Sequence, residues 1–441
     1  MERLETKSVY HTVAEVRLGE SGGWASLGLK ATGFDASFRD GQVLHFDLEG
    51  RLTRVATPNV QWRRGLSHRT VCLRKRPGEA GGGLEVRLLD REESDRLVDD
   101  ASLRLSGVRE ALRRGQFALQ RGKPNRDQAV QELESAIARA AAFDARAARE
   151  DFARFQSLYG DIPILPPDQY GAFVLLATEG CAYNQCTFCG FYRGVPFRRK
   201  TPEEFRSHLR QAAAYHGSAL AARRGVFLGQ ANALVGPRPW REQILGIVNG
   251  EFLLPSVDAA AAAPAGWQGS PRPWEGITAF VDAFTGVHLG EDEFAAMRRW
   301  HLRRLYLGVE TGDRQLLAWL RKPATPEDML RTVEAARRGG VHVGVIVLLG
   351  AGGERYFQAH VDETIGLLRR MPLGRGDYVY LSPLVAMPGA EHGRQLRDEQ
   401  IEPLSPSRMA EQQRLIRAGL AATARQGGPY VARYDVAHFV Y

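Results

Sequence analysis

The chain is poor in cysteine and lysine, and it lacks any long apolar run. Only four cysteines occur in 441 residues, and three of them fall between positions 181 and 189. That excludes a disulfide framework; in a reducing compartment such clustering points to metal or redox chemistry. No uninterrupted apolar stretch approaches the roughly 18 residues of a membrane span. Met1–Lys7 is charged and leads into no apolar signal-peptide segment, so a cytoplasmic protein with no membrane partner is expected. Lysine appears at only six positions, so the 59 basic residues are nearly all arginine. They leave a net charge of +8, with basic runs at Arg74-Lys75-Arg76, Arg198-Arg199-Lys200 and Arg298–Arg304. Because 51 acidic residues are dispersed among them, solvated faces are favoured over a nucleic-acid partner.

What is present reads as a globular protein with 44% hydrophobic residues, long enough for one large domain and a smaller one. Residues 1–90 are β-rich: Val43–Phe46, Leu52–Ala56 and Thr70–Arg74 are short apolar or alternating runs between Gly, Asp and Pro turns, with Pro77–Gly83 a loop. Residues 91–160 turn helical in two segments broken at Gly122–Asn125, with Asn125 at an N-cap position, and read as a helical hairpin linking two domains. Pro163, Pro166 and Pro167 mark the next boundary. From 161 to 441 strand and helix alternate. Candidate strands are Ala172–Ala177, Gly225–Leu228, Ile277–Asp282, Arg304–Gly308, Val341–Leu349 and Tyr378–Leu381; the candidate helices between and after them are 202–222, 239–248, 291–300, 326–339, 356–371 and 406–426. Six such units imply a parallel α/β sheet, either open and doubly wound or a partial barrel. Ala259–Gly269 is an Ala/Pro/Gly-rich insert to which no chemistry is assigned.

The cysteines lie in Thr178-Glu179-Gly180-Cys181-Ala182-Tyr183-Asn184-Gln185-Cys186-Thr187-Phe188-Cys189-Gly190-Phe191-Tyr192-Arg193, directly after the first strand. α/β folds place ligands at the carboxyl ends of strands. Spacings of four and two residues let one loop wrap three thiolates around a compact metal centre. Four-iron clusters usually take four cysteines; the remaining one, Cys72, is distant in sequence and expected to be a small buried hydrophobe. Three ligands on four irons leave one iron open. Structural zinc would want a fourth Cys or a His, and the nearest histidines are His208 and His216.

This loop resembles that of the radical S-adenosylmethionine (SAM) superfamily, in the variant with four residues between the first two cysteines. The Gly-Cys-x-x-Asn-x-Cys-x-Phe-Cys wording is similar to the branch of the Elongator catalytic subunit and the methylthiotransferases. The resemblance spans about residues 160 to 441 and implies a partial (β/α)6 barrel. It also implies a [4Fe–4S] cluster on Cys181, Cys186 and Cys189, and SAM chelated at the open iron and cleaved reductively to a 5′-deoxyadenosyl radical. An electron donor such as a ferredoxin or flavodoxin is implied with it. By the same resemblance Phe188 lies against the adenine. Gly229, Gln230 and Asn232, after the second strand, hold the SAM amino group, although the usual Gly-Gly-Glu wording is absent. Glu310, in Gly308-Val309-Glu310-Thr311-Gly312, takes the ribose, and Lys322 faces the SAM carboxylate or caps a helix. Ile346 belongs to the adenine-contacting fifth strand, and Tyr380-Leu381-Ser382-Pro383 ends the sixth at a last SAM or substrate contact. With no second cysteine cluster, auxiliary clusters and a methylthiotransferase-like activity are not expected. The substrate is left open. The alternatives are an RNA-modifying enzyme of the same superfamily and a non-catalytic iron–sulfur, zinc or RNA-binding protein.

Overall fold

The computed structural model describes residues 10–19, 23–75, 84–122, 125–252, 274–286 and 288–441. The loop expected at Pro77–Gly83, the insert Ala259–Gly269 and the charged start Met1–Lys7 lie outside the described residues.

The C-terminal part of the chain is built on a seven-stranded parallel sheet: β1 (Phe173–Leu175), β2 (Val226–Leu228), β3 (Ile277–Val281), β4 (Leu302–Glu310), β5 (His342–Leu349), β6 (Tyr378–Pro383) and β7 (Tyr430–Arg433). Spatial order follows chain order throughout. Parallel crossovers are right-handed, so strands added always on the same side carry all their helices on one face. A doubly wound sheet would reverse direction once. The sequential order therefore resolves the alternatives left by the sequence in favour of a partial barrel. The crossover helices are α1 (Pro202–His216), α2 (Arg238–Phe252), α3 (Glu291–Arg299), α4 (Pro326–Arg338), α5 (Phe357–Arg370) and α6 (Pro406–Arg425). Thr201 and Thr325 start α1 and α4 with capping boxes to Glu204 and Asp328, each followed by a proline in the first turn. The seventh strand was not among the expected six. It is a short edge strand with half-exposed residues, so it carries no apolar run.

Side chains close both the open edge and the amino end of the half-barrel. The Val174 N–H donates to the Tyr441 hydroxyl at 3.1 Å, and the Val174 carbonyl accepts from Tyr159 at 3.0 Å, so two tyrosines satisfy a free edge of β1. At the amino end, the turn Pro167–Gln169 presents Asp168 to the hydroxyls of Tyr306 and Tyr380 and to Arg304 Nη1 at 2.9 Å. Gly344 on β5 has no side chain because a Cβ there would stand 2.6 Å from the Tyr306 ring.

The N-terminal unit is a nine-stranded sheet. Eight antiparallel strands, Thr12–Leu18 through Leu84–Leu88, follow chain order, and a ninth, Phe117–Arg121, returns to pair with the first. The helices Arg91–Arg113 and Arg126–Ala141 bury Val98, Leu105, Val108, Leu133 and Ile137 against it. Asn125 caps the second, accepting from the Gln128 N–H at 2.8 Å. Residues 91–160 are thus not a hairpin of helices alone: a strand lies between the first two helices, and both belong to the core of the sheet. The strand is hard to see because it is largely exposed. The third helix, Ala145–Tyr159, joins the two cores, with Ala148 in one and Phe155 and Tyr159 in the other. Arg51 strengthens the junction by pairing with buried Asp151 and donating to the Tyr215 carbonyl.

Candidate active site

The loop after β1 is closed at its base by a two-residue ribbon, Thr178–Glu179 against Arg198–Arg199. Gly180, at φ +70°, begins the turn into Cys181; a Cβ there would meet the Val195 and Pro196 carbonyl oxygens at 2.7 and 2.9 Å. Glycine alone accepts that conformation and that approach without strain. Asn184, also at positive φ, donates from its amide to the Tyr192 carbonyl at 2.8 Å, while its backbone N–H points at Cys181 Sγ.

Arg193 holds the rest of the loop. Its guanidinium donates to the carbonyls of Asn184 (2.6 Å), Cys186 (3.0 Å) and Cys189 (3.3 Å). One rigid fork thereby ties the peptide units around two of the three cysteines. Arg193→Met is expected to leave the barrel folded but loosen the cysteine loop, so that its thiols react with a maleimide at least about threefold faster, since several charge-assisted hydrogen bonds are lost. Thiol-reaction kinetics beside circular dichroism check this.

The thiols of Cys181, Cys186 and Cys189 are free, partly exposed, and line one cavity of about 200 Å³. Every strand end contributes to it: Phe188 and Tyr192 from the loop after β1, Ala231 after β2, Asp282 after β3, Glu310 on β4, Ile346 on β5, Ser382 on β6 and Tyr434 after β7. Its wall is mainly aromatic and aliphatic, with Asp282, Glu310 and Lys322 as the charged exceptions. Burial pushes the Cys186 thiol up to about 11 and raises Cys189 too, and Lys322 partly counters this. Such thiols stay protonated until a metal displaces the proton. Cys72 is elsewhere, buried on the N-terminal sheet opposite Trp62 and Arg87. His208 and His216 are buried as well: the His208 ring accepts the Leu176 N–H at 3.0 Å, and burial lowers its pKa to about 4. Neither histidine is among the cavity-lining residues, and no group of three His, Cys, Asp or Glu among the described residues is arranged to hold a single metal ion.

Glu310 and Lys322 form a buried ion pair at 2.9 Å, each about 9% exposed. Burial works most strongly against the Lys322 ammonium, but its neighbours together, Glu310 first and then Cys186 and Asp282, hold the amine above the ordinary lysine value. Glu310 sits at φ +61°, where the β4–β5 register slips between Gly308 and Glu310. Such a conformation in a non-glycine residue persists only when its surroundings fix it, and the Lys322 pair does so here. Gly308 makes room for the pair: a Cβ would stand 2.3 Å from Glu310 Oε1 and 3.2 Å from Lys322 Nζ. Gly308→Ala should displace the carboxylate from Lys322 and destabilise the fold by about 1–3 kcal/mol, because the added methyl overpacks a filled site. Urea denaturation, compared with the unsubstituted chain, measures it.

Three of the sequence candidates, Gly229, Gln230 and Asn232, are not among the cavity-lining residues. Asn232 is buried, donates to Asp282 Oδ2 at 2.7 Å and accepts the Leu234 N–H, so it orients a lining carboxylate rather than lining the cavity. Gln230, at φ +70°, accepts the Gly180 N–H at 3.2 Å and so steadies the cysteine loop. Gly229 packs against Leu176 and Val174. Phe188 both lines the cavity and packs on the patch of Leu316, Leu320 and Leu348. Sequence reasoning missed Asp282, Arg193 and Tyr434. Asp282 ends its strand in Val-Asp-Ala, an isolated acid at a strand tip, which is the one signal that could have marked it. In the basic run 298–304, Arg298 donates to the Gly340 carbonyl and Arg304 to Asp168, so part of that run serves internal contacts.

No protein-family model and no curated protein sequence matches the chain. Among solved structures it is similar to coproporphyrinogen III oxidase (HemN) from Escherichia coli, a radical SAM enzyme, with 13% identity and a TM-score of 0.39 over 61% of this chain and 55% of that one. It is also similar to methylornithine synthase (PylB), with 18% identity and a TM-score of 0.37 over 65% and 75%. A third is the cobalamin-dependent SAM radical enzyme OxsB, with 15% identity and a TM-score of 0.35 over 52% and 30%. The chain covers less than two thirds of the length of HemN and of OxsB. With TM-scores below 0.5, these likenesses are too distant to assign an activity or a residue role.

Proposed function

We propose that the protein is a radical SAM enzyme. The observation that carries this reading is the convergence of three thiols and a buried Glu310–Lys322 pair on one cavity at the carboxyl ends of a half-barrel. Cys181, Cys186 and Cys189 would hold a [4Fe–4S] cluster with one iron left to SAM. The residues fit such a group: the thiols share a cavity, no lining histidine competes, and a preformed carboxylate–ammonium pair stands beside them. When bound, the pair of cofactors supplies reductive cleavage of SAM to a 5′-deoxyadenosyl radical, which abstracts hydrogen from a substrate.

The chain's own residues bind, orient and shield. Arg193, Asn184 and Gln230 fix the cysteine loop. Glu310 offers carboxylate oxygens to ribose hydroxyls, while Lys322 neutralises it and stands available to a carboxylate. Phe188 and Ile346 give an apolar slot for a base, and Asp282, held by Asn232, gives a second anchor for a cation. The aromatic wall of Tyr183, Phe191, Phe280 and Phe284 excludes water and would protect a reactive carbon radical from quenching. By its loop wording we place the chain nearest the Elongator and methylthiotransferase branch, with a ferredoxin- or flavodoxin-type donor. Ultraviolet–visible spectra and iron analysis of the anaerobically reconstituted chain test this: a broad iron–sulfur absorption with about four irons is expected, whereas a zinc-only protein without SAM affinity would remove it.

A further inference from the structure

A second cavity, of about 560 Å³, lies at the opposite end of the barrel, between its amino-terminal edge and the N-terminal sheet. Tyr170-Gly171, just before β1, and Arg223-Arg224, just before β2, form one side; Arg54, Arg63 and Arg64 come from the sheet. Its two acidic residues are already taken, Asp35 by Lys30 and His45, and Asp47 by Arg51. Arg51 is in turn paired with Asp151. The five arginines 54, 63, 64, 223 and 224 have no carboxylate within ion-pairing distance among the described residues.

Arg64 is the most telling of these. It is about 6% exposed, and its Nε has no hydrogen-bond partner among the described residues. It contacts the His68 ring at 3.1 Å and the face of Phe143, and feels the carboxylates of Asp151 and Asp47 only from beyond ion-pairing distance. A buried guanidinium with an unused donor is costly, and four further guanidinium groups without a carboxylate partner, three of them exposed, make the same space electropositive. An anion with several charged oxygens answers both. Arginine forks match phosphate oxygens in particular.

We propose that this cleft binds a small molecule carrying two or more linked phosphates, of about nucleotide size. Arginines stand on both walls, so linked phosphates offer more charged oxygens to them than a single phosphate does. The concave shape and volume fall within the roughly 300–1,000 Å³ of small-ligand pockets, which favours such a ligand over a nucleic-acid strand lying on an open surface. Tyr170 supplies an aromatic wall beside the arginines.

The test uses the full cluster-loaded chain and calorimetric titration at moderate salt, with inorganic tripolyphosphate, ATP, orthophosphate and a single-stranded oligouridylate as probes. Tripolyphosphate is decisive because it has no adenosine to enter the SAM cavity. It should bind, and raise the thermal midpoint. An Arg63→Gln/Arg224→Gln double variant, both residues exposed, should bind at least about tenfold more weakly, having lost two charge-assisted contacts. The ligand-free variant should keep its thermal midpoint or gain in it, because like charges were removed. Cys186→Ala protein should bind tripolyphosphate as well as the unsubstituted chain, which separates this proposal from the reading of the cysteine site. Absence of tripolyphosphate binding at millimolar concentration, or equal binding by the double variant, would overturn it. So would oligouridylate binding tighter than ATP and lost in the same variant, which would make the cleft part of an RNA surface.

Discussion

Cys186→Ala protein, reconstituted anaerobically, is expected to lose its iron–sulfur absorption and form no 5′-deoxyadenosine, while Cys72→Ala protein retains both. The cavity holds only three thiols, so removing one leaves two, too few for the proposed cluster, which would already lack a fourth protein ligand. The loss should not come from misfolding. The bonds that Cys186 makes with Arg193 and with the Cys189 N–H run through its backbone carbonyl, which alanine keeps. Cys72 sits on another sheet, paired across to Trp62 and Arg87, and its replacement removes only a small buried side chain. Iron analysis, absorption spectra and chromatography of SAM products read all three outcomes in one preparation.

The second large effect is expected at the buried pair. Lys322→Met leaves Glu310 without its partner in a site about 9% exposed. Breaking a buried ion pair from one side typically costs about 3–5 kcal/mol, because the remaining charge is neither solvated nor compensated. Urea denaturation should show a loss of that order near neutral pH. The double change Glu310→Gln/Lys322→Met should recover much of the stability but none of the SAM cleavage. A single variant as stable as the parent would mean that the pair contributes nothing to holding the strained end of β4.

Much of this site was legible in the sequence because its chemistry is local. Three cysteines within one loop, and Glu310 between two glycines, announce themselves by spacing, and the structure brings them to one cavity with Phe188, Lys322 and Ile346. The barrel strands were legible for a related reason: strands buried on both faces, such as β5, read as continuous apolar runs. What was not legible depends on partners far away in sequence or on the backbone. Arg193 acts on carbonyl groups, which every residue has, so nothing in the sequence singles it out. Asn232 looks like a ligand residue but spends its amide on Asp282, fifty residues away. The strands Phe117–Arg121 and Tyr430–Arg433 lie at sheet edges with exposed side chains, so no hydrophobic period marks them. The order of the seven parallel strands, which decides between barrel and open sheet, follows from pairing alone.

Whether the cysteine cavity is a SAM-cleaving centre is decided by the yield of 5′-deoxyadenosine from SAM, with the full reconstituted chain under a strong reductant. Formation that requires both the reductant and all three loop cysteines is expected. A chain that binds iron through Cys181, Cys186 and Cys189 yet leaves SAM intact would contradict it.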